Sequence, residues 1–388
     1  MVTSAMSATS RYPEPNNERL LADFLTLVQI DSPSYSEAKV IEWAAEVLAS
    51  AGCDIRIDDT TELTGSNSGN LIATLSATPG QPGRVFFSAH TDTASPGIGV
   101  EPVISADGII TSVGETVLGG DDKVGVAAIL ETVRTIVESG QAHPEIVILL
   151  SVAEEVGLKG AKAIDGEAMA FAGEPCFVLD SDGKPGGVII GAPFHINYTA
   201  RFIGKAAHAG VSPESGISAI AMAAKAIAGL PLGRLDAVTT ANVGTIEGGS
   251  ADNVVPESAV ITGEMRSLDQ VRIDQVKEQT KAVMEAVALE AGGLFEIEFD
   301  QSYPGFRLDE DDELVQLVLD TATKLGLPPV SRYTGGGSDA NIFAGKGLSP
   351  LVLATGMTAV HSKDESLAIV DMQDVTRLLV AVTLSYQP

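Results

Sequence analysis

Positive charge is scarce in this chain: 24 Lys plus Arg stand against 52 Asp plus Glu, a formal net charge of −28 over 388 residues. Such a field repels polyanions, so nucleic acid and anionic membrane surfaces are excluded as partners. Most of the excess carboxylates read as a well-solvated acidic surface. Cysteine is almost missing. The pair that exists, Cys53 and Cys176, lies far apart in apolar surroundings, which excludes a disulfide framework and a cysteine-based zinc site. No apolar run approaches the length of a bilayer span. The stretch Met1 to Asn17 is polar and proline-containing, without the apolar segment of a secretion signal, so a cytoplasmic protein is expected. Internal repeats and low-complexity tracts are absent as well.

What is present is apolar material enough for a sizeable core, 45% of residues, on a chain long enough for two domains. Helical periodicity over 18–29 and 36–51 opens the fold, followed by short strand-like runs at 54–58, 70–76 and 84–88. The last run ends in Ala89-His-Thr-Asp-Thr93, which places His90 and Asp92 just past a strand's carboxyl end, where open α/β sheets bind their ligands. The continuous apolar run 145–152 reads as a strand buried on both faces, and Ala153-Glu154-Glu155 follows it directly. A second such strand, 176–179, delivers Asp180. Strands alternating with helices predict a mostly parallel sheet flanked by helices. From about residue 193 the order changes to strand, helix, two strands, helix, strand, the pattern of a ferredoxin-like α+β unit. It reads as a domain, 193–304, inserted between the two parts, 1–192 and 305–388, of an α/β domain.

The stretch around which the chain is organised is Gly119-Gly-Asp-Asp-Lys-Val-Gly125, just before a helical pattern. Taken alone, Asp121 and Asp122 read as helix-capping acids. Their company changes that reading. His90, Asp121, Glu155, Asp180 and His361 all fall where one rim of one sheet would gather them, and imidazole with carboxylate suits zinc, cobalt or manganese. Two divalent cations would be neutralised by the carboxylates of Asp121, Glu155 and Asp180 together with one hydroxide. Glu154 is then left beside the ligands without being needed as one, the position of a general base. Asp92 is suited to orienting the His90 ring from its far side. Thr334-Gly-Gly-Gly-Ser-Asp339, before a short helix, offers backbone amides to an anion, and Gly336 and Gly337 read as part of a substrate loop.

The set His90-Thr-Asp92, Gly120-Asp-Asp-Lys-Val-Gly125, Glu154-Glu155, Asp180, Gly204-Lys-Ala-Ala-His208 and His361 resembles the peptidase T branch of the di-zinc exopeptidases, over nearly the whole chain. The resemblance implies a zinc-exopeptidase-like catalytic domain with an inserted lid and dimerisation domain. It implies that two zinc ions, or cobalt or manganese, are held by His90 with Asp180 and by Glu155 with His361, Asp121 bridging them. It implies Glu154 as base and a cis Asp121–Asp122 peptide. His208, which alone reads as a turn histidine, becomes the residue that polarises the scissile carbonyl. Arg266 and Asn253, otherwise ordinary surface residues, become binders of a substrate carboxylate. The expected activity is removal of an amino acid from a short peptide, at the amino end, by a homodimer formed through the lid. The alternatives are an N-acyl amino acid deacylase or a carboxypeptidase with the same site, and, from another class, an inactive metal-dependent binding protein.

Overall fold

The computed structural model describes residues 11–388; of the polar amino-terminal stretch expected to carry no secretion signal, residues 1–10 lie outside the described residues. The chain forms two compact units, one comprising the chain up to Ile190 with Leu308–Tyr333 and Ser338–Pro388, the other Gly191–Arg307 with Thr334–Gly337.

The first unit is built on a sheet whose centre is parallel. Glu145–Ser151, Arg84–His90, Pro175–Ser181 and Ser349–Ala354 lie side by side in that order, all pointing one way. Leu71–Leu75 and Asp54–Ile57 add antiparallel strands at one margin, and Gly187–Ala192 adds one at the other. The central strands are buried along almost their whole length, which is why they read as unbroken apolar runs rather than alternating ones. Phe87 and Phe177 face each other across neighbouring strands with ring centroids 6.4 Å apart, and the helix Gly120–Ser139 buries Val124, Ala127, Ala128 and Val133 in the same core. Parallel strands send every carboxyl end to one rim. His90, Val152 to Glu155 and Asp180 reach that rim for this reason alone.

Gly187–Ala192 and Val330–Tyr333 are strands that the sequence does not announce. The first has only Val188–Ile190 as an apolar run between glycines, too short to separate from a loop. The helix Glu313–Lys324 begins where it does because Asp312 Oδ1 accepts the Leu314 amide at 2.8 Å and caps it there.

In the second unit, Thr239–Gly248, Ser258–Ser267, Phe194–Ile203 and Leu294–Tyr303 form an antiparallel sheet in that order. The helices Ala219–Gly229 and Gln270–Ala291 pack on it around Phe202, Met222, Ile261, Met265, Ile273 and Met284. This is the ferredoxin-like arrangement read from the element order. Asp269 Oδ1 caps the longer helix through the Arg272 amide, and Gly292, with φ 73°, ends it.

Gly125 fixes how closely the helix after Gly119 approaches the sheet. A Cβ there would lie 2.4 Å from Asp122 Oδ1 and 2.8 Å from the Leu179 carbonyl oxygen. Gly125→Ala is therefore expected to cost about 1–3 kcal/mol through forced separation of the two elements, measured as a lower urea midpoint; an unchanged midpoint would mean that the approach is not constrained.

Candidate active site

The rim of the parallel sheet gathers the sequence-predicted ligands into one cluster. The ligand atoms of His90, Asp121 and Glu155 lie within 4.8 Å of one another. Asp121 stands between two imidazoles: its Oδ1 is 3.0 Å from His90 Nε2 and its Oδ2 is 3.1 Å from His361 Nε2. His361 Nε2 is also 2.9 Å from Glu155 Oε1. Asp180, half-buried at the end of Pro175–Ser181, acts electrostatically on the same groups. His208, Arg266, Asn253, Gly336 and Gly337 belong to the other unit.

The backbone is bent locally to present these side chains. The Asp121–Asp122 peptide is cis, and both residues depart from helical angles inside the helix that begins at Gly120. Ala153, just before Glu154, and His361 itself adopt left-handed φ values of 52° and 59°. Such conformations are unfavourable for residues with a Cβ and recur where a site dictates the geometry.

Buried polar groups hold the bends in place. Asp92 Oδ1 accepts the Glu154 amide at 3.0 Å, and its Oδ2 accepts the Glu155 amide at 3.2 Å and the Ser34 hydroxyl at 2.7 Å. The same Oδ1 lies 3.3 Å from His90 Nδ1, and the Asp92 carbonyl oxygen is 3.1 Å from that nitrogen, so the ring is held with Nε2 toward Asp121. Glu37 Oε1 accepts the Ala153 amide at 2.9 Å, and Asn70 Oδ1 accepts the Val152 amide at 3.1 Å. Glu365 accepts the amides of Gly119 and Asp121, each at 2.9 Å. Asp122 does not face the cluster with Asp121: it accepts the amides of His90 at 3.2 Å and Gly125 at 3.1 Å. The fully buried Lys123 donates to the Thr91 carbonyl at 2.7 Å and the Thr93 hydroxyl at 2.8 Å.

Glu37, Asn70, Lys123 and Glu365 are functional supports that sequence reasoning did not single out. Lys123 carried a signal, a charge inside a motif that opens a buried helix, and Glu365 lies four residues after His361. Glu37 and Asn70 carried none, because the rim amides they hold lie more than 80 residues away.

The electrostatics are those of a place built for cations. Burial lifts Glu154 and Asp180 well above the ordinary carboxylate range, and neighbouring carboxylates add to it. Burial alone would lower His90, yet Asp121 and Asp92 hold it well above its usual value. Hydrogen bonds to Asp121 and Glu155 raise His361 to about 10. Burial lowers Lys123 to about 8. His90 and His361 thus turn ring nitrogens toward carboxylates across gaps that a metal would fill. Glu155 Oε1 is buried with the His361 imidazole beside it, and the spacings near 3 Å around Asp121 are comparable with the roughly 3.3 Å that separates two donors bound at 2.0–2.1 Å to one tetrahedral ion. The residues fit divalent metal.

In the second unit, His208 is exposed, its Nδ1 accepting the Gly210 amide at 3.2 Å, and Asn253 is exposed in a turn. Gly336 donates its amide to Thr334 Oγ1 at 3.1 Å. Gly337 packs so closely that a Cβ would sit 2.3 Å from the Tyr303 ring. Arg266 is engaged inside its unit: Nη2 pairs with Glu264 Oε2 at 2.9 Å, and Nη1 donates to the Gly335 carbonyl at 3.0 Å.

Because metal must displace protons held by His361 and His90, affinity for a divalent ion is expected to rise with pH from 6 toward 10, and adding metal at pH 7 should release protons. Titration in weakly buffered solution measures this; proton release of zero would contradict the arrangement. Lys123→Met leaves buried acceptors unpaired and should cost about 3–5 kcal/mol, read from urea denaturation. A loss below about 1 kcal/mol would show that the ammonium does not hold the Thr91–Thr93 loop.

Comparison with known proteins agrees with this geometry. Residues 191–292 match the family described as Peptidase dimerisation domain, and residues 70–170 match Peptidase family M28. The chain is 41% identical over 367 residues to the uncharacterized protein YqjE of Bacillus subtilis strain 168, covering 95% of this chain and 98% of that protein. It is similar to the crystal structure of aminopeptidase PepT from Bacillus cereus ATCC 10987, with a TM-score of 0.91 and 40% identity, covering 95% and 98% of the two chains. A tripeptidase from Staphylococcus aureus gives a TM-score of 0.90 at 35% identity over the same shares. With its metal-binding rim and this similarity across nearly its whole length, the chain belongs to the peptidase T-like M20 metallopeptidases, and it is a metal-dependent exopeptidase of the peptidase T type.

Proposed function

We propose that this exopeptidase is an aminopeptidase acting on short peptides at a pair of divalent ions, zinc in the first place and cobalt or manganese as substitutes. The observation that carries the reading is the Asp121 carboxylate, with one oxygen against His90 and the other against His361. In this reading His90 and Asp180 hold one ion, Glu155 and His361 the other, and Asp121 is shared. Bound ions would supply Lewis acidity and lower the pKa of a water into the neutral range.

The proton chemistry falls to Glu154. Its carboxylate, buried and of raised proton affinity, is suited to take a proton from the attacking water and to give it to the departing amine. Asp92 keeps the His90 ring and the Glu154 amide in register. The segment 193–304 acts as lid and dimerisation domain, flanked by the catalytic segments 1–192 and 305–388. His208, whose imidazole is exposed, would donate to the scissile carbonyl oxygen. Asn253, Arg266 and the Gly336–Gly337 backbone would meet the substrate's main chain and carboxylate, Arg266 through its remaining N–H groups while Glu264 fixes its plane. The outer part of strand Thr239–Gly248 is an exposed sheet edge, and symmetric pairing of such edges would give a homodimer. A cytoplasmic setting is part of this reading and accords with free, buried Cys53 and Cys176; among the described residues no helix is long and apolar enough to cross a membrane.

A panel of di- and tripeptides, amino-blocked peptides and N-acyl amino acids tests the substrate class. Cleavage of free-amine peptides with no turnover of blocked ones is expected. Preference for blocked substrates would replace the aminopeptidase with a deacylase or carboxypeptidase, and peptide binding without hydrolysis would leave a binding protein. Glu154→Ala should keep its metal and lose about 10²–10⁴ in kcat. Loss of metal in that variant, or full activity, would remove Glu154 from the role of base. His208→Ala should lower kcat with metal content unchanged, and wild-type turnover in it would remove the lid histidine from the mechanism.

A further inference from the structure

One carboxylate close to this cluster has no place in the chemistry so far. Asp339 opens the short helix Asp339–Gly345 and is 2% exposed. Its Oδ2 accepts the Ser151 hydroxyl, while its Oδ1 is buried with no hydrogen-bond partner. A buried, half-satisfied carboxylate is costly unless a positive charge stands nearby. The cations acting on it do not touch it: His90 is engaged by Asp121, and Lys346 donates its ammonium to the carbonyls of Lys162 and Ile164. Burial accordingly lifts Asp339 to about 6. Its charge in turn acts on Glu154 and Asp180, raising both.

Ser151 gives this carboxylate a mechanical route to the rim as well. It ends strand Glu145–Ser151, directly opposite His90 on the parallel neighbour. Its carbonyl oxygen accepts both the Thr91 amide at 2.9 Å and the Thr91 hydroxyl at 2.7 Å. Three and four residues later come Glu154 and Glu155.

We propose that Asp339 is a positioning residue of the metal centre: its carboxylate, uncompensated in the metal-free protein, is matched by the bound ions and strengthens their binding while it fixes the strand end that carries Glu154 and Glu155. The inference rests on the reading of the rim as a site for divalent metal. It separates the effect of charge from the effect of packing, because the two predict opposite signs.

The test uses full-length Asp339→Asn and Ser151→Ala at pH 8, with zinc affinity from chelator competition and thermal melting of the metal-free proteins. Asparagine retains an oxygen to accept the Ser151 hydroxyl but carries no charge. Asp339→Asn is expected to bind zinc about 10–100-fold more weakly while its metal-free form melts at a higher temperature than wild type. Ser151→Ala keeps the charge and loses only the bond to the strand end, so its zinc affinity should fall less than that of Asp339→Asn while its metal-free form melts lower than wild type. An Asp339→Asn protein with wild-type zinc affinity overturns the proposal, and so does one in which weaker affinity accompanies a lower metal-free melting temperature. A wild-type protein that binds no divalent metal at all would instead overturn the metal reading on which the proposal stands.

Discussion

Mutual repulsion among buried carboxylates is the constraint that shapes the first unit. Asp121, Asp122, Glu154, Asp180, Asp92 and Asp339 act on one another or on the same histidine, and burial pushes most of them toward the neutral acid. Such a cluster would be discarded by any fold that did not need it, since replacing buried charges by apolar groups is often neutral or stabilising. It is tolerable when cations occupy its centre. The imidazoles of His90 and His361 accordingly sit between carboxylates, which raise the proton affinity of both rings.

The fold contains this repulsion by fixing backbone rather than by pairing side chains. Asp92, Glu37, Asn70, Asp122 and Glu365 each spend carboxylate or amide oxygens on main-chain N–H groups of the rim loops. Lys123 does the complementary task for the carbonyl of Thr91. These bonds lie inside the protein, where a hydrogen bond to a charged group is worth about 1.5–3 kcal/mol and an unmade one is costly. They can therefore hold Ala153 in its left-handed conformation, a local expense of order 1–3 kcal/mol. Strain at the rim is thus carried by a frame of side chains bonded to the backbone.

The second unit follows a different rule. Its sheet and helices share a core in which alanines are interleaved with isoleucine and methionine, and its charged residues pair locally. Glu264 receives both His195 Nε2 and the guanidinium of Arg266, each at 2.9 Å. Arg266 passes this order on to the Gly335 carbonyl, and Tyr303 closes over Gly337. The glycine loop is consequently a shaped element of this unit, held from one side by an arginine and from the other by an aromatic ring.

Periodicity and apolar runs determined the parallel strands, the ferredoxin-like order and the rim on which His90, Asp121, Glu155, Asp180 and His361 meet. That much is local information: a strand buried on both faces must be apolar throughout, and a side chain after its last residue must lie at the sheet's carboxyl edge. The strands Gly187–Ala192 and Val330–Tyr333 escaped because their pairing partners, not their own composition, make them strands. The roles of Glu37, Asn70, Glu365 and Asp339 escaped for a related reason, since each acts on an atom far away in sequence. Asp122 shows the division most sharply. It adjoins Asp121 and is chemically identical to it, yet one faces two imidazoles and the other turns into the protein to accept backbone amides. Local composition dictates which residue types gather at the rim; which carboxylate serves the centre and which its frame is settled by long-range packing, because that choice depends on the direction of a side chain within a packed interior.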